Sequence, residues 1–392
     1  MRILLVYDCL YPNTVGGAEL WLRALAERLG EEHEVTYLTR RQWARGESPS
    51  ADGFDVVAVS PGGPLYTAAG RRRLLPAVAF GAGVFAHLAL RRGRYDVVHC
   101  LSYPYFSVLA ARLALLGRRE RPRLFVEWLE CLSPGWWKAY AGRVAGALGL
   151  ALQWLCVRVT PVALVFSDHT AERVRGSGLR GELVRLPGLF AAPAQTASEV
   201  ARDDELVLFA GRHTPDKRPV AAVEALAVAR ERRPDLHGVI VGEGPEHSRV
   251  RARIRELGLE GSVEAPGFVE REELQLLLRR AACLLAPSLR EGFGMAVLEA
   301  TALGTPAVVC EAPDNAAAEL VEPGVNGELA ADPSPEALGE AVVGVLEAGP
   351  ELRRTTADWY RRNSERLSME ASLGAVERLY RESSRTAATN AS

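Results

Sequence analysis

Lysine is almost missing from this chain. Of 47 basic residues only two are lysine, Lys138 and Lys217, and arginine carries the rest of the positive charge. No C-x-x-C pair occurs among the six cysteines, Cys9, Cys100, Cys131, Cys156, Cys283 and Cys310. They lie far apart and most sit within apolar runs, so they read as reduced core thiols of a cytoplasmic protein. A basic excess is also lacking. The net charge of −2 argues against a nucleic-acid binder, which would be strongly basic. There is no internal repeat and no low-complexity tract. No secretory signal is expected, because the N-terminus enters a strand at once and a glycine-rich loop follows. A convincing membrane span is lacking too. Residues 74–90 are apolar but hold Pro76 and His87, and residues 144–166 contain Gln153, Arg158 and Pro161.

What is present is α/β grammar. A chain of 392 residues is too long for one ordinary core, so two domains are expected. Short apolar runs alternate with helical patterns from end to end, which predicts parallel sheets built from βα units. In the first half the strands are read at residues 2–7, 35–38, 56–59, 96–99, 124–127 and 163–166. In the second half they are read at 206–210, 238–241, 263–265, 283–286 and 307–309. Residues 187–198 are small, proline-containing and non-periodic, and read as the linker. The division expected is 1–190 for the first domain and 191–365 for the second. Residues 366–392 form a helix returning to the first domain and a tail, disordered from Thr386.

Two segments carry chemistry. In Glu291-Gly-Phe-Gly-Met-Ala-Val-Leu-Glu299, two carboxylates lie eight residues apart across a glycine-rich turn that opens a helix. Gly292 and Gly294 let the backbone approach a ligand, and free N–H groups at the helix start suit an anion. The second segment is a buried strand, 206–210, followed by Gly211-Arg212-His-Thr-Pro-Asp-Lys217. A lysine retained in so arginine-rich a chain points to a need for a compact ammonium. Arg212 and Lys217 together would neutralise a diphosphate. Solvated loop charges and an ordinary surface glutamate are the bland alternatives.

These segments occur in one order with others: Gly242-Glu-Gly-Pro245, Pro266-Gly-Phe-Val269, Pro287-Ser288, Glu299-Ala-x-Ala302-x-Gly-x-Pro306 and Gly324-Val-Asn-Gly327. That order resembles the C-terminal half of the retaining family 4 glycosyltransferases. Tyr11-Pro…Gly16-Gly17-Ala-Glu19 and Ser167-Asp-His-Thr170 are similar to the N-terminal half. The resemblance implies the GT-B fold, two facing Rossmann-like doubly wound domains with a C-terminal helix crossing back. It also implies transfer of a hexose-type sugar from a UDP- or GDP-linked donor, in a bacterial carbohydrate or natural-product pathway. The acceptor would be a saccharide, a natural product or a lipid-linked molecule. Ligands bind such sheets at the C-terminal ends of their strands, where every motif named here falls.

By the same resemblance, Arg212, Lys217 and Glu291 would be catalytic, with Glu291 holding hydroxyls of the transferred sugar. Donor contacts would come from Gly16, Gly17, Gly211, Val269, Gly292, Phe293, Gly294, Met295 and Glu299, the last on the ribose. Two cations at the diphosphate and the lack of any D-x-D motif imply that no metal or other cofactor is required. Family members usually carry a histidine after the strand that precedes the acceptor loop. Here that region reads Phe125-Val-Glu-Trp-Leu-Glu-Cys131, so Glu127 or Glu130 is expected to make the polar contact instead. Trp136, Trp137 and Lys138 are expected near the acceptor, with core packing of the tryptophans as the alternative. His99 reads as a strand-end residue, by default a satisfied core histidine. The two apolar stretches read as buried helices of the first domain, or else as a peripheral contact with the inner face of a membrane. Rival functions are a GT-B nucleotide-sugar epimerase, a dinucleotide oxidoreductase and a non-catalytic sugar-binding subunit. The second lacks a complete G-x-G-x-x-G, since His247 and Val297 stand at the third position.

Overall fold

The computed structural model describes residues 1–392 except 45, 48, 50, 66, 68–71, 92–93, 118–121, 192–199 and 390–392, and leaves the side chains of 384–389 undescribed. The chain divides into two compact units: Met1–Leu189 with Met369–Ser392, and Phe190–Ser368. Of the linker read from sequence, residues 192–198 lie outside the described residues.

The first unit holds strands β1 (Arg2–Val6), β2 (Glu34–Arg40), β3 (Asp55–Ser60), β4 (Val97–Leu101), β5 (Arg123–Trp128), β6 (Val162–Val165) and β7 (Glu182–Arg185). They form one parallel sheet in the order β3-β2-β1-β4-β5-β6-β7. Its helices are α1 (Gly17–Gly30), α2 (Leu74–Leu90), α3 (Tyr105–Leu115), α4 (Pro134–Ala141), α5 (Arg143–Val159) and α6 (Asp168–Gly176). One core cluster gathers Phe80 and Val84 of α2, Val108 of α3, Trp137 of α4, Cys156 and Val157 of α5 and Val174 of α6. Those helices therefore cover one face of the sheet. Burying such side chains stabilises by roughly 1.5–3 kcal/mol each.

The second unit runs through β8 (Asp203–Ala210), α7 (Pro219–Arg232), β9 (His237–Val241), α8 (His247–Glu256), β10 (Val263–Gly267), α9 (Arg271–Arg280), β11 (Ala281–Ala286), β12 (Arg290–Glu291), α10 (Met295–Ala302), β13 (Ala307–Cys310), β14 (Asp314–Asn315), a 3-10 turn (Ala316–Leu320), β15 (Gly327–Ala330) and α11 (Pro335–Leu367). The main sheet is ordered β10-β9-β8-β11-β13-β15, and β12 pairs with β14 beside it. Gly349 leaves helical geometry within α11, just before Pro350. The last helix, α12 (Met369–Thr389), belongs to the first unit, where Val376 and Tyr380 are fully buried.

The strands read from sequence are present, with ends shifted by up to three residues. The short strands β7, β12, β14 and β15 were not read. The acidic run Asp203-Asp204-Glu205, placed in the linker, instead starts β8, where Asp203 pairs with His237 at 3.0 Å. The tail expected to be disordered from Thr386 is helical as far as Thr389. The first apolar stretch is helix α2 and the second spans α5 and strand β6, and the helices are not buried throughout: Leu75 is 78% exposed and Val144 77%.

Candidate active site

In the second unit, strand order reverses between β8 and β11. β9 and β10 lie on one side of β8, and β13 and β15 lie beyond β11. At such a switch point the loops leaving neighbouring strands diverge and open a crevice at the strand C-termini. The two loops here are 211–218 and 287–294, the chemical segments singled out in the sequence.

They are joined directly. The Lys217 ammonium donates to Glu291 Oε1 at 2.5 Å, and the Ser288 hydroxyl donates to the same oxygen at 3.0 Å. Both charged side chains stay about one-fifth exposed, so the pair faces solvent rather than core. The backbone N–H of Leu289 donates to the carbonyl of Asp216 at 2.9 Å, and Arg290 lies 3.8 Å from the Asp216 carboxylate. Burial would push that carboxyl upward, but Arg290 and its other neighbours outweigh it and hold Asp216 below the ordinary carboxylate range. Next to Lys217, Arg218 adopts left-handed φ 56°, ψ 49°, ahead of Pro219 at the start of α7. A non-glycine residue in that region costs on the order of 1–2 kcal/mol, offset here by its place at the helix start and by a 3.4 Å hydrogen bond to the Pro287 carbonyl.

Glu291 is set by local folding. It lies in β12, opposite Asn315 of β14. The Asn315 amide is buried, donates to the carbonyls of Ser288 and Cys310, and accepts from the Ala317 N–H. Gly294 then turns the chain into α10 with φ 98°, and a Cβ there would lie 2.6 Å from that of Ala317. Only glycine satisfies both demands. No side chain caps α10, so its first N–H groups and the positive end of its dipole remain available to an anion.

Arg212 is exposed, and among the described residues its guanidinium has no ion-pair partner. The residue after it was missed by the sequence reading. His213 is fully buried, with its Nδ1 3.1 Å from Nδ1 of His247 and the rings stacked at 5.1 Å. Burial drives His213 down to about 4, and the neighbouring imidazole adds to the effect. A Cβ at Gly242 would sit 1.9 Å from the Gly211 carbonyl, so the loop after β9 closes onto the loop that carries Arg212. Thirty-four residues separate the two histidines, and no local pattern reports such a contact.

Glu299 is not part of this cluster. It lines a small pocket with Phe190, Ala191, Arg271, Leu274, Gln275, Leu278 and Leu303. Burial holds its carboxyl above the ordinary range against the pull of Arg271. Val269 follows β10, half-buried beside exposed Phe268. Gly292 and Met295 are half-buried, and Phe293 is buried. Gly211 leaves β8 as the first residue of the Arg212 loop.

The corresponding reversal in the first unit, at β1 and β4, looks different. Gly16 and Gly17 do open an uncapped helix, α1, but the Glu19 carboxylate folds back beside Gly16 and accepts from Tyr7 at 3.2 Å. Asp8 is fully buried against the Arg72 guanidinium, which also lies 4.6 Å from the Tyr103 ring centre. Glu127, expected at the acceptor, is fully enclosed. Trp21 donates to it at 2.7 Å, and His99 Nε2 lies 3.2 Å away. Nδ1 of His99 meets the Tyr380 hydroxyl at 2.5 Å, so His99 is a core residue, in the middle of β4 rather than at its end. Trp137 is likewise core, its indole donating to Gln153 at 3.2 Å. Glu130 and Trp136 are half-buried, Lys138 is exposed, and Trp136 stacks on Tyr140 at 4.5 Å. Of the five acceptor candidates, only Glu130, Trp136 and Lys138 reach the surface.

Comparison with known proteins follows the same two-part division. Residues 193–362 match the family described as glycosyl transferases group 1, and residues 16–188 match a glycosyl transferase 4-like domain. The GDP-mannose-dependent alpha-(1-6)-phosphatidylinositol dimannoside mannosyltransferase of Mycobacterium tuberculosis is 34% identical over 179 residues, 44% of each chain. The chain thus spans less than half the length of that relative. The MMP alpha-(1->4)-mannosyltransferase of Mycolicibacterium hassiacum is 28% identical, over 75% of this chain and 72% of its own. Among solved structures, sucrose-phosphate synthase from Thermosynechococcus elongatus superposes with a TM-score of 0.78 at 21% identity, covering 97% of this chain and 98% of its own. Anabaena HepE, solved in complex with UDP-glucose, gives 0.70 at 19% identity, with 97% and 99% covered. The chain belongs to the group 1 glycosyl transferases of family 4 and has their GT-B fold.

Proposed function

We propose that the chain is a retaining glycosyltransferase whose second unit binds a UDP- or GDP-linked hexose at the β8–β11 switch point. The observation that carries this is the Lys217–Glu291 contact, which fixes a carboxylate just ahead of an uncapped helix N-terminus against an ammonium on the loop that also carries the exposed Arg212. Arg212, Lys217 and the first N–H groups of α10 suit the diphosphate, and Glu291 suits hydroxyls of the sugar. Positioned charge of this kind stabilises the leaving diphosphate as the sugar becomes cationic. In the step proposed, the anomeric C–O bond to the phosphate breaks as the acceptor oxygen bonds to the same carbon on the same face. The acceptor proton passes to the departing phosphate oxygen, and no side chain acts as nucleophile. We assign the ribose to Glu299, the base to the turn at Val269, and acceptor contacts to Glu130, Trp136 and Lys138 of the first unit. Two cations at the phosphates fit a reaction that needs no metal. The two relatives named above are mannosyltransferases, which favours transfer over epimerisation. No helix among the described residues is long and apolar enough to cross a membrane. Incubation with a panel of nucleotide sugars, with and without chelator, tests the reading by nucleotide release. Release from one UDP- or GDP-hexose that survives chelation is expected, whereas none from any donor, or release only with added metal, would overturn it.

A further inference from the structure

Two helices of the first unit are apolar on their outer side as well as toward the core. In α5 the polar Gln153 is 1% exposed, accepting from Tyr105, Trp137 and the Leu132 N–H within the core. Its outer side instead carries Val144 at 77%, Leu148 at 68%, Trp154 at 46% and Leu155 at 42% exposure. Val144, Leu148, Ala151 and Leu155 follow the spacing of a single helical stripe, which in a surface helix normally carries polar residues. The pattern repeats in α2. His87 is buried and hydrogen-bonded to Tyr95 at 2.8 Å, while Leu74, Leu75, Val78, Phe85 and Leu90 are exposed. Between these helices α3 adds exposed Leu113. All three belong to the layer on one face of the sheet, so their outer sides form one apolar surface.

The stretch of sequence that carries these helices is predominantly basic. Residues 56–167 contain 14 Lys and Arg against 4 Asp and Glu, in a chain whose net charge is −2. No acidic residue occurs within α2, α3 or α5. Arginines stand at both ends of α2 and α5: Arg73 and Arg91 flank α2, Arg143 opens α5, and Arg158 lies 4.5 Å from the Trp154 ring centre near its end. A protein partner of ordinary composition would match the apolar stripe without requiring this cationic border. A bilayer with anionic headgroups matches both, since leucine and tryptophan enter the acyl boundary while arginine heads remain at the phosphates.

We propose that the outer surface of α2, α3 and α5 docks on an anionic lipid bilayer, with the helices lying in the membrane plane. The surface lies wholly in the first unit, whereas the proposed diphosphate seat is built from residues of the second, so its failure would leave the donor-site reading standing. The test is co-sedimentation of the full chain with vesicles of phosphatidylcholine alone or mixed with phosphatidylglycerol. The expected result is binding to the mixed vesicles that weakens with salt, and little binding to phosphatidylcholine alone. Leu148→Asp with Leu155→Asp, and separately Arg73→Glu with Arg143→Glu, should each lower binding about tenfold or more. Thermal unfolding and nucleoside diphosphate affinity should be unchanged, which shows that the variants are folded. The proposal is overturned if the parent chain stays in the supernatant, if both double variants still pellet like the parent, or if the parent self-associates without vesicles and Leu148→Asp with Leu155→Asp abolishes that association.

Discussion

The two units share a parallel sheet with one reversal of strand order, yet they use that place in opposite ways. In the second unit the polar groups at the reversal are partly exposed and include Arg212, which has no ion-pair partner among the described residues. In the first unit, Asp8 is enclosed with the Arg72 guanidinium and Glu127 is closed in by Trp21 and His99, although Nε of Arg72 and Oε1 of Glu127 have no hydrogen-bond partner among the described residues. The same topology therefore leaves charged groups partly exposed in one case and encloses them in the core in the other. What decides is whether the charged groups are left for something outside the fold.

The comparison is broken most forcefully at Asp8. Asp8→Ala leaves the Arg72 guanidinium buried without its carboxylate, which should cost about 3–5 kcal/mol of stability. Denaturant titration measures the loss, and nucleoside diphosphate affinity of the folded fraction should not change. A loss of affinity with little loss of stability would mean that Asp8 belongs to a ligand site.

Arg212→Ala and Lys217→Ala should do the reverse. Each removes charge from the proposed diphosphate seat, at roughly 2–4 kcal/mol of transition-state stabilisation. Arg212 is exposed, so its removal should shift stability by no more than about 0.5 kcal/mol. Steady-state transfer rates set beside unfolding curves separate the two effects. Lys217→Ala also frees Glu291, which then keeps only the Ser288 hydroxyl.

Acid sharpens the comparison further, because each unit buries one histidine held down to about 4, His87 in the first and His213 in the second. Both are disfavoured as cations in the folded state, so the unfolded chain binds more protons between about 4 and the ordinary value of 6.5. Stability should be full above that window and fall as pH drops through it. His213→Leu should flatten the second unit's share of the slope and leave the share due to His87. An unchanged slope of the unfolding midpoint against pH would show that His213 is free to ionise in the fold.

The smallest effect expected separates the two carboxylates. Glu299→Gln should weaken nucleoside diphosphate binding by about 1 kcal/mol through lost ribose contacts. Glu291→Gln should leave that binding almost intact while slowing transfer and blurring the choice of sugar. Calorimetry in which Glu291→Gln alone loses nucleotide affinity would reverse the assignment.

Much of the second unit was legible because its chemistry is local. Glu291, Gly294 and the start of α10 lie within one turn of chain, and Lys217 stands out in an arginine-rich sequence. The Lys217–Glu291 contact closes 74 residues, but each partner has its own local signal. The contact of His213 with His247 and the bracing of the 287–294 loop by Asn315 have none. The first unit misled in two physical ways. Glu127 and Trp137 look like functional groups by type, but a polar side chain enclosed in a core carries the same letter as an exposed one. The apolar runs of α2 and α5 looked buried because composition does not tell which face of a helix meets the sheet. Strand β7 stayed hidden because an edge strand containing Glu182 and Arg185 lacks the apolar run that marks the others.

The account rests on the β8–β11 reversal being the seat of the donor diphosphate. The most direct test is calorimetric titration of the full chain and of its Arg212→Ala and Lys217→Ala variants with UDP and GDP. The account predicts that the parent binds one of the two and that each variant loses about tenfold or more in affinity, in line with the loss of a charge-assisted contact. Parent-like affinity in both variants would contradict it.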